Sequence, residues 1–148
     1  MNSTPIQLAE TDAQIVSCLP VLRQLRPHLV DPADAVARVR RQQQSGFRLA
    51  YLTDGKDVVA VTGFRLLENL AWGKFLYVDD LVTDDDRRSC GHGERLLAWL
   101  IDLAKESGCD QVHLDSGVQR FDAHRFYLRH RFRITSHHFA IQLQPSAT

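Results

Sequence analysis

Hydrophobic and polar positions follow two rhythms along the 148-residue chain. Ile6-Gln7-Leu8 alternates and predicts a short strand. From Thr11-Asp12 the rhythm becomes helical, with Ile15, Val16, Leu19, Leu22 and Leu25 on one stripe. Pro20 falls inside that stripe and is expected to kink or divide the helix, because it has no N–H to donate and its ring crowds the preceding turn. Asp31-Pro32 predicts a second helix start, a side-chain acceptor followed by a residue whose φ is already helical. Val36 and Val39 carry that helix to Ser45, and Gly46 ends it. The rhythm then shortens. Phe47 to Thr53 reads as a strand, Asp54-Gly55 as a hairpin turn and Val58 to Leu67 as the returning strand. Glu68 to Gly73 reads as a loop and Lys74 to Thr83 as a long strand. A polar stretch, Asp84 to His92, precedes a strongly periodic helix from Gly93 to Ser107. Leu96, Leu97, Leu100, Ile101, Leu103 and Ala104 form its apolar face. Gly108 caps it. Gln111 to Ser116 predicts a strand, Asp122 to His130 a short helix, and Ile134 to Leu143 a last strand.

This order predicts an α/β chain of the mixed α+β kind, with a mixed central sheet and helices on both faces. Lys74 to Ser116 is expected to form a right-handed parallel crossover. The length favours one domain, residues 1–148, with residues 1–4 and 145–148 as flexible tails. Hydrophobic residues make up 44% and charged residues 24%, which excludes a disordered or fibrous chain. Eighteen basic and eighteen acidic residues cancel. The chain therefore has no global electrostatic reason to bind nucleic acid or an anionic membrane. Cys18, Cys90 and Cys109 are odd in number and lack C-x-x-C spacing, so reduced thiols are expected. The N-terminal residues do not read as a secretory signal, and no apolar run approaches the ~20 residues of a membrane span. These features predict a cytoplasmic protein.

The segment Arg88-Ser89-Cys90-Gly91-His92-Gly93 joins the long strand to the periodic helix. Its glycines let the backbone turn tightly and approach a ligand. The loop amides and those of the first helical turn have no partner inside the helix and point the same way, and the helix dipole adds positive potential. Such a place suits phosphate or pyrophosphate, with Arg87 and Arg88 adding mobile positive charge. The segment is neither a Walker A loop nor a G-x-G-x-x-G fingerprint. Spacing alone leaves open a glycine-rich connection that only shapes a turn.

R-x-x-G-x-G between a long strand and an amphipathic helix resembles motif A of the GNAT superfamily of N-acetyltransferases. The wider match runs from Val82 to Leu97, V-T-D-D-D-R-R-S-C-G-H-G-E-R-L-L. Ala123-His124-Arg125-Phe126-Tyr127, followed by Arg131-Phe132, resembles the family's N-x-x-A-x-x-x-Y-x-x-x-G-F segment. The element order agrees over roughly residues 5–143. The resemblance implies a central, mostly antiparallel twisted sheet and an acetyl-CoA-dependent N-acetyltransferase without a metal. The acceptor would be a primary amine of a small molecule or peptide. The alternative is a non-catalytic acyl-CoA-binding module on the same fold. By the resemblance, the backbone of Arg88, Ser89, Cys90, Gly91, His92 and Gly93, with Glu94, cradles the pyrophosphate, beside which Arg87 adds its charge, and Leu81, Val82 and Thr83 pair with the pantetheine arm. Tyr127 matches the tyrosine that protonates the departing thiolate. Arg120 stands where the family has a coenzyme-contacting Asn, Arg131 where it has Gly, and Asp84-Asp85-Asp86 where a Pro is common. Because the family is often dimeric, a homodimer is also implied, with the last strand as a pairing edge.

Amine acetylation needs a neutral amine, a group to take its proton and donors for the thioester oxygen. Asp79 and Asp80 lie on the strand leading to the loop. Adjacent strand residues face opposite ways, so one is expected to face the acceptor cleft and the other the structure. Asp80 is the first candidate base and Asp79 the second. His113 and Asp115, two apart on a strand, suit a base with an orienting carboxylate; no third ligand is spaced with them for a metal. Cys90 near a helix N-terminus is a candidate acyl carrier. On the acceptor side, Arg65, Glu68, Asn69 and Trp72 lie near one strand connection, and Arg23, Arg26 and His28 near the first helices.

Overall fold

The helical stripes fold as helices and most of the alternating runs join one sheet. The computed structural model describes residues 4–88 and 90–145. Its elements are β1 (Gln7–Leu8), α1 (Asp12–Leu25), α2 (Pro32–Gln43), β2 (Arg48–Asp54), β3 (Asp57–Asn69), β4 (Gly73–Thr83), a single 3₁₀ turn (Asp85–Arg87), α3 (His92–Glu106), β5 (Gln111–Leu114) and α4 (Phe121–Arg129). Of the tails, residues 1–3 and 146–148 lie outside the described residues. No described helix is long and apolar enough to cross a membrane.

Thr11 starts α1 with a reciprocal cap. Its hydroxyl accepts the Gln14 N–H at 3.1 Å, and the Gln14 side chain accepts the Thr11 N–H at 3.0 Å. Asp31 caps α2 by accepting the Ala33 N–H at 3.3 Å, ahead of Pro32. Pro20 does not divide α1. Ile15, Cys18, Leu19, Val21 and Leu22 are all buried around it, and that packing outweighs the one hydrogen bond a proline cannot donate.

The sheet order is β1-β2-β3-β4-β5, and the three pairings from β1 to β4 are antiparallel. The Asp110 N–H donates to the Lys74 carbonyl at 2.6 Å. β5 therefore starts level with the start of β4, and α3 lies between the two strands in the chain. Leu49, Tyr51, Val61 and Val82 pack into one core with α1 and α2. Leu52, Val59, Ala60 and Leu81 form another with Leu96 of α3. Helices thus cover both faces of the mostly antiparallel sheet, as expected.

The last strand expected over Ile134 to Leu143 does not form. Residues 132–143 join no ladder, and Ile134, Phe139, Ile141 and Leu143 are exposed. Alternation supplies only one requirement of a strand; its N–H and C=O groups also need a neighbouring strand. The chain divides into a larger unit ending at His113 and a smaller one beginning at Leu114.

Two irregularities interrupt the β2–β3–β4 ladders. In the second, Gly63 faces Asp80 while Phe64 faces Val78, so Asp79 is an extra residue bulged out of β4. Gly63 has no room for a side chain there. A Cβ would lie 2.6 Å from the Phe47 ring and 2.8 Å from Asp80 Oδ2. Gly63→Ala is therefore expected to destabilise the fold by about 1–3 kcal/mol through overpacking. Urea unfolding checks this, and an unchanged midpoint contradicts it.

Candidate active site

The loop after β4 takes its shape from local backbone chemistry. Gly91 sits at the N-cap of α3 with φ +81°, a left-handed conformation in which a side chain costs about 1–2 kcal/mol. It offers no side-chain cap, and among the described residues, its chain neighbours aside, no other element crowds the place of its Cβ. The first N–H groups of α3, at His92, Gly93 and Glu94, have no acceptor within the helix, as at every helix start. They give this open spot a positive potential. Cys90 is exposed, and its thiol points at the Arg88 carbonyl 3.7 Å away. Ser89, expected to bind coenzyme, lies outside the described residues.

The loop arginines differ. Arg88 pairs with Asp85 three residues back at 2.6 Å, and both side chains are mostly exposed. Arg87 is paired away from the glycine loop: its guanidinium bridges Asp54 at 3.2 Å and Asp57 at 2.9 Å, on the β2–β3 hairpin.

The end of β4 presents a second set of backbone groups. β4 has eleven residues and β5 has four. Because β5 starts level with Lys74, Leu81, Val82 and Thr83 have no strand on their outer side among the described residues, while β3 pairs their inner side. This edge and the α3 N-terminus flank one short loop. Together they offer strand-type pairing to an extended amide chain and amides to an anion.

Before that edge, the bulge overturns the alternation expected for Asp79 and Asp80. Both carboxylates enter one polar cluster. Arg26, at the end of α1, donates from Nε to Asp80 Oδ1 at 2.7 Å and from Nη2 to the Asp79 carbonyl at 3.0 Å. Arg65 donates from Nε to Asp79 Oδ2 at 2.9 Å and from Nη2 to Gln42 at 2.7 Å. The Thr62 hydroxyl donates to the Asp80 carbonyl at 2.8 Å. Asp79 Oδ1 is buried without a hydrogen-bond partner. Burial raises the Asp79 pKa above its ordinary 3.8; the Arg65 hydrogen bond and charge oppose this, the Asp80 charge adds to it and Arg26 opposes it.

The other acceptor-side residues mostly brace the fold. Arg23 donates to the carbonyls of Leu29 and Val30 and so fixes the turn after α1. Asn69 accepts the Trp72 N–H at 2.7 Å. The Trp72 ring stacks on His113 with centroids 3.5 Å apart, and Phe75 meets both rings edge-on. The His113 Nε2 lies 2.6 Å from the Gln111 side chain. Among the described residues, no group of three or more His, Cys, Asp or Glu converges as metal ligands would.

In the smaller unit, Tyr127 lies on α4 between Phe126 and Phe132, with ring centroids 5.3 and 5.7 Å away. Burial raises its pKa above the ordinary 10, with the Arg120 charge opposing. The phenol therefore keeps its proton at neutral pH. Arg120 is the N-cap of α4 and makes no side-chain capping bond. Arg131 has φ +70°. It adopts the left-handed conformation that a Gly accepts without strain, and the Phe132 N–H closes back on the Tyr127 carbonyl at 3.0 Å. Asp115 meets His138 at 3.2 Å.

Sequence reading missed Gln24, Gln42, Asp54 and Asp57. Each acts on a partner between 23 and 61 residues away, and no local pattern marks such pairs.

A family model described as the acetyltransferase (GNAT) family matches residues 17–132. The chain is 35% identical over 109 residues to the uncharacterized N-acetyltransferase YhdJ of Bacillus subtilis, covering 73% of this chain and 76% of that protein. It is 34% identical over 88 residues to the aminoalkylphosphonate N-acetyltransferase of Salmonella typhimurium, covering 59% of this chain and 56% of that one. Its fold is similar to that of the ribosomal-protein-alanine N-acetyltransferase of Brucella melitensis biovar Abortus, with a TM-score of 0.79, 16% identity, and coverage of 94% of this chain and 99% of that one.

The geometry at the bulge has a direct test. A carboxyl whose pKa is raised by folding favours the folded state most below the unfolded pKa, and that contribution is lost as pH rises through the folded value. Carbon-detected NMR should show Asp79 titrating above 3.8, and higher still in Arg65→Gln. A midpoint at or below the ordinary value, or one that Arg65→Gln leaves in place, contradicts this account.

Proposed function

This chain belongs to the GNAT family of acetyltransferases, and from that premise we propose that it transfers an acetyl group from acetyl-CoA directly to a primary amine of a small molecule or peptide. The observation that carries this reading is the open β4 edge beside the uncapped N-terminus of α3. Leu81, Val82 and Thr83 pair with the pantetheine amides. The backbone from Arg88 to Gly93, with Glu94, receives the diphosphate, and Arg88 exchanges Asp85 for it. Arg120 is a further coenzyme contact. The names of two similar proteins, one acting on aminoalkylphosphonates and one on a ribosomal-protein alanine, support a small-molecule or peptide amine.

The amine nitrogen attacks the thioester carbonyl carbon, the C–S bond breaks, and the sulfur leaves as thiolate. Tyr127, protonated at neutral pH, gives the thiolate its proton. The amine loses one proton to Asp80, with Asp79 as the second candidate. Asp80 takes it directly only if Arg26 releases the carboxylate, and through a water otherwise. The products are an amide and free coenzyme A, and solvent restores the Tyr127 proton. No step needs a metal. A cytoplasmic location and self-association belong to the same reading, supported by the unpaired cysteines and by the exposed apolar side chains of residues 134–143. Zero net charge argues against nucleic acid or a membrane as partner.

One observation favours the non-catalytic module. Both candidate bases already hold arginines. A thiol-release assay with acetyl-CoA and a mixed amine panel separates the readings. The enzyme reading expects turnover, and expects Tyr127→Phe to lower kcat about 100-fold while the KM for acetyl-CoA changes little. Coenzyme A binding with no turnover on any amine supports the module instead.

A further inference from the structure

The segment that delivers the chain from β4 to the glycine loop is held from two sides. On one side is α1. Gln24 donates to Asp84 Oδ1 at 3.1 Å and accepts the Asp85 N–H at 2.9 Å. On the other side is the β2–β3 hairpin, whose Asp54 and Asp57 hold the two ends of the Arg87 guanidinium. The Asp84 N–H also donates to the Val59 carbonyl at 2.8 Å, and the Asp84 carboxylate accepts the Asp86 N–H at 3.2 Å.

We propose that Arg87 is a strut of this loop and not a phosphate ligand, and that Asp54 and Asp57 are positioning residues for coenzyme binding; the proposal rests on the acetyltransferase reading above. The planar guanidinium suits the task, because its fork presents donors to two carboxylates at once. Those carboxylates come from opposite sides of a tight turn, so one side chain fixes the loop to the hairpin as a whole. Turning Arg87 toward a phosphate leaves Asp54 and Asp57 close together with no shared cation, which like-charge repulsion opposes. Arg88 faces no such penalty. Its ion-pair partner, Asp85, is a neighbour in the same exposed loop. The two adjacent arginines therefore divide the work: Arg88 meets the anion, and Arg87 sets where the loop amides point. Amide donors bind an anion well only when held close to the productive geometry.

The strut acts on coenzyme binding and not on the acetyl transfer itself, so its effect falls on KM. Asp54 and Asp57 side chains are 67% and 69% exposed, so replacing both by Asn removes charge without disturbing the core. In Asp54→Asn/Asp57→Asn, the KM for acetyl-CoA and the calorimetric Kd for coenzyme A are expected to rise about three- to tenfold. The kcat and the KM for the amine should stay within about twofold. The loss should be the same for 3′-dephospho-coenzyme A. Arg87→Ala should match the double variant alone and add nothing to it, since both remove one interaction. Tighter coenzyme binding in the double variant overturns the proposal, because it makes Arg87 a ligand that the aspartates withhold. So does a loss in Arg87→Ala that disappears with 3′-dephospho-coenzyme A, or a double variant that binds like wild type. A wild-type chain that binds no coenzyme A overturns the underlying reading instead, which keeps the two failures distinct.

Discussion

Backbone hydrogen bonding must be completed somewhere, and in this chain β4 and β5 are mismatched in length. β3 pairs with β4 along its whole span, but the four-residue β5 covers only the beginning of the other side. Among the described residues, the outer donors and acceptors of the last β4 residues have no strand beside them and are open to pairing by an incoming chain. The loop that follows turns through Gly91 into α3, where a second set of N–H groups lacks a cap. The proposed site is thus built from main-chain groups first, and extended amides joined to an anion, as in coenzyme A, would match both sets.

Side chains then decide how that main chain is held. The Asp79 bulge breaks the strand rhythm, and Arg26, Arg65, Gln42 and Thr62 fasten it. Gln24 and the Arg87 pairs fasten the next segment. Many of these ion pairs are partly exposed, and each alone adds little stability. Their effect is on placement: they tie β4 and its loop to α1, α2 and the hairpin. A carboxylate at the bulge is consequently both a structural anchor and a candidate base. Any proton transfer there competes with an arginine.

Much of this was legible in the sequence wherever a local rule applied. The caps at Thr11 and Asp31, the Asp54-Gly55 turn and the apolar stripe of α3 each depend on neighbours within a few residues, and the structure places them where the spacing does. The glycine loop was legible for the same reason, since a left-handed residue before a helix nearly demands Gly. Failures came where distant partners decide. Pro20 reads as a break, yet a buried face carries the helix through it. Residues 134–143 alternate like a strand, yet among the described residues no strand pairs with them. Asp79 and Asp80 read as opposite-facing, and only the register against Gly63 and Phe64 reveals the bulge. Arg131 departs from the glycine of the family pattern yet adopts a left-handed conformation that favours glycine.

The central claim is that coenzyme A binds through unpaired main-chain groups at the end of β4 and the start of α3. Amide-resolved NMR during a titration of the intact chain with coenzyme A tests it most directly. The largest shifts should fall on the N–H groups of Leu81, Val82, Thr83, Gly91, His92, Gly93 and Glu94, saturating together. Saturable shifts centred elsewhere, or a spectrum that the coenzyme leaves unchanged, would contradict the account.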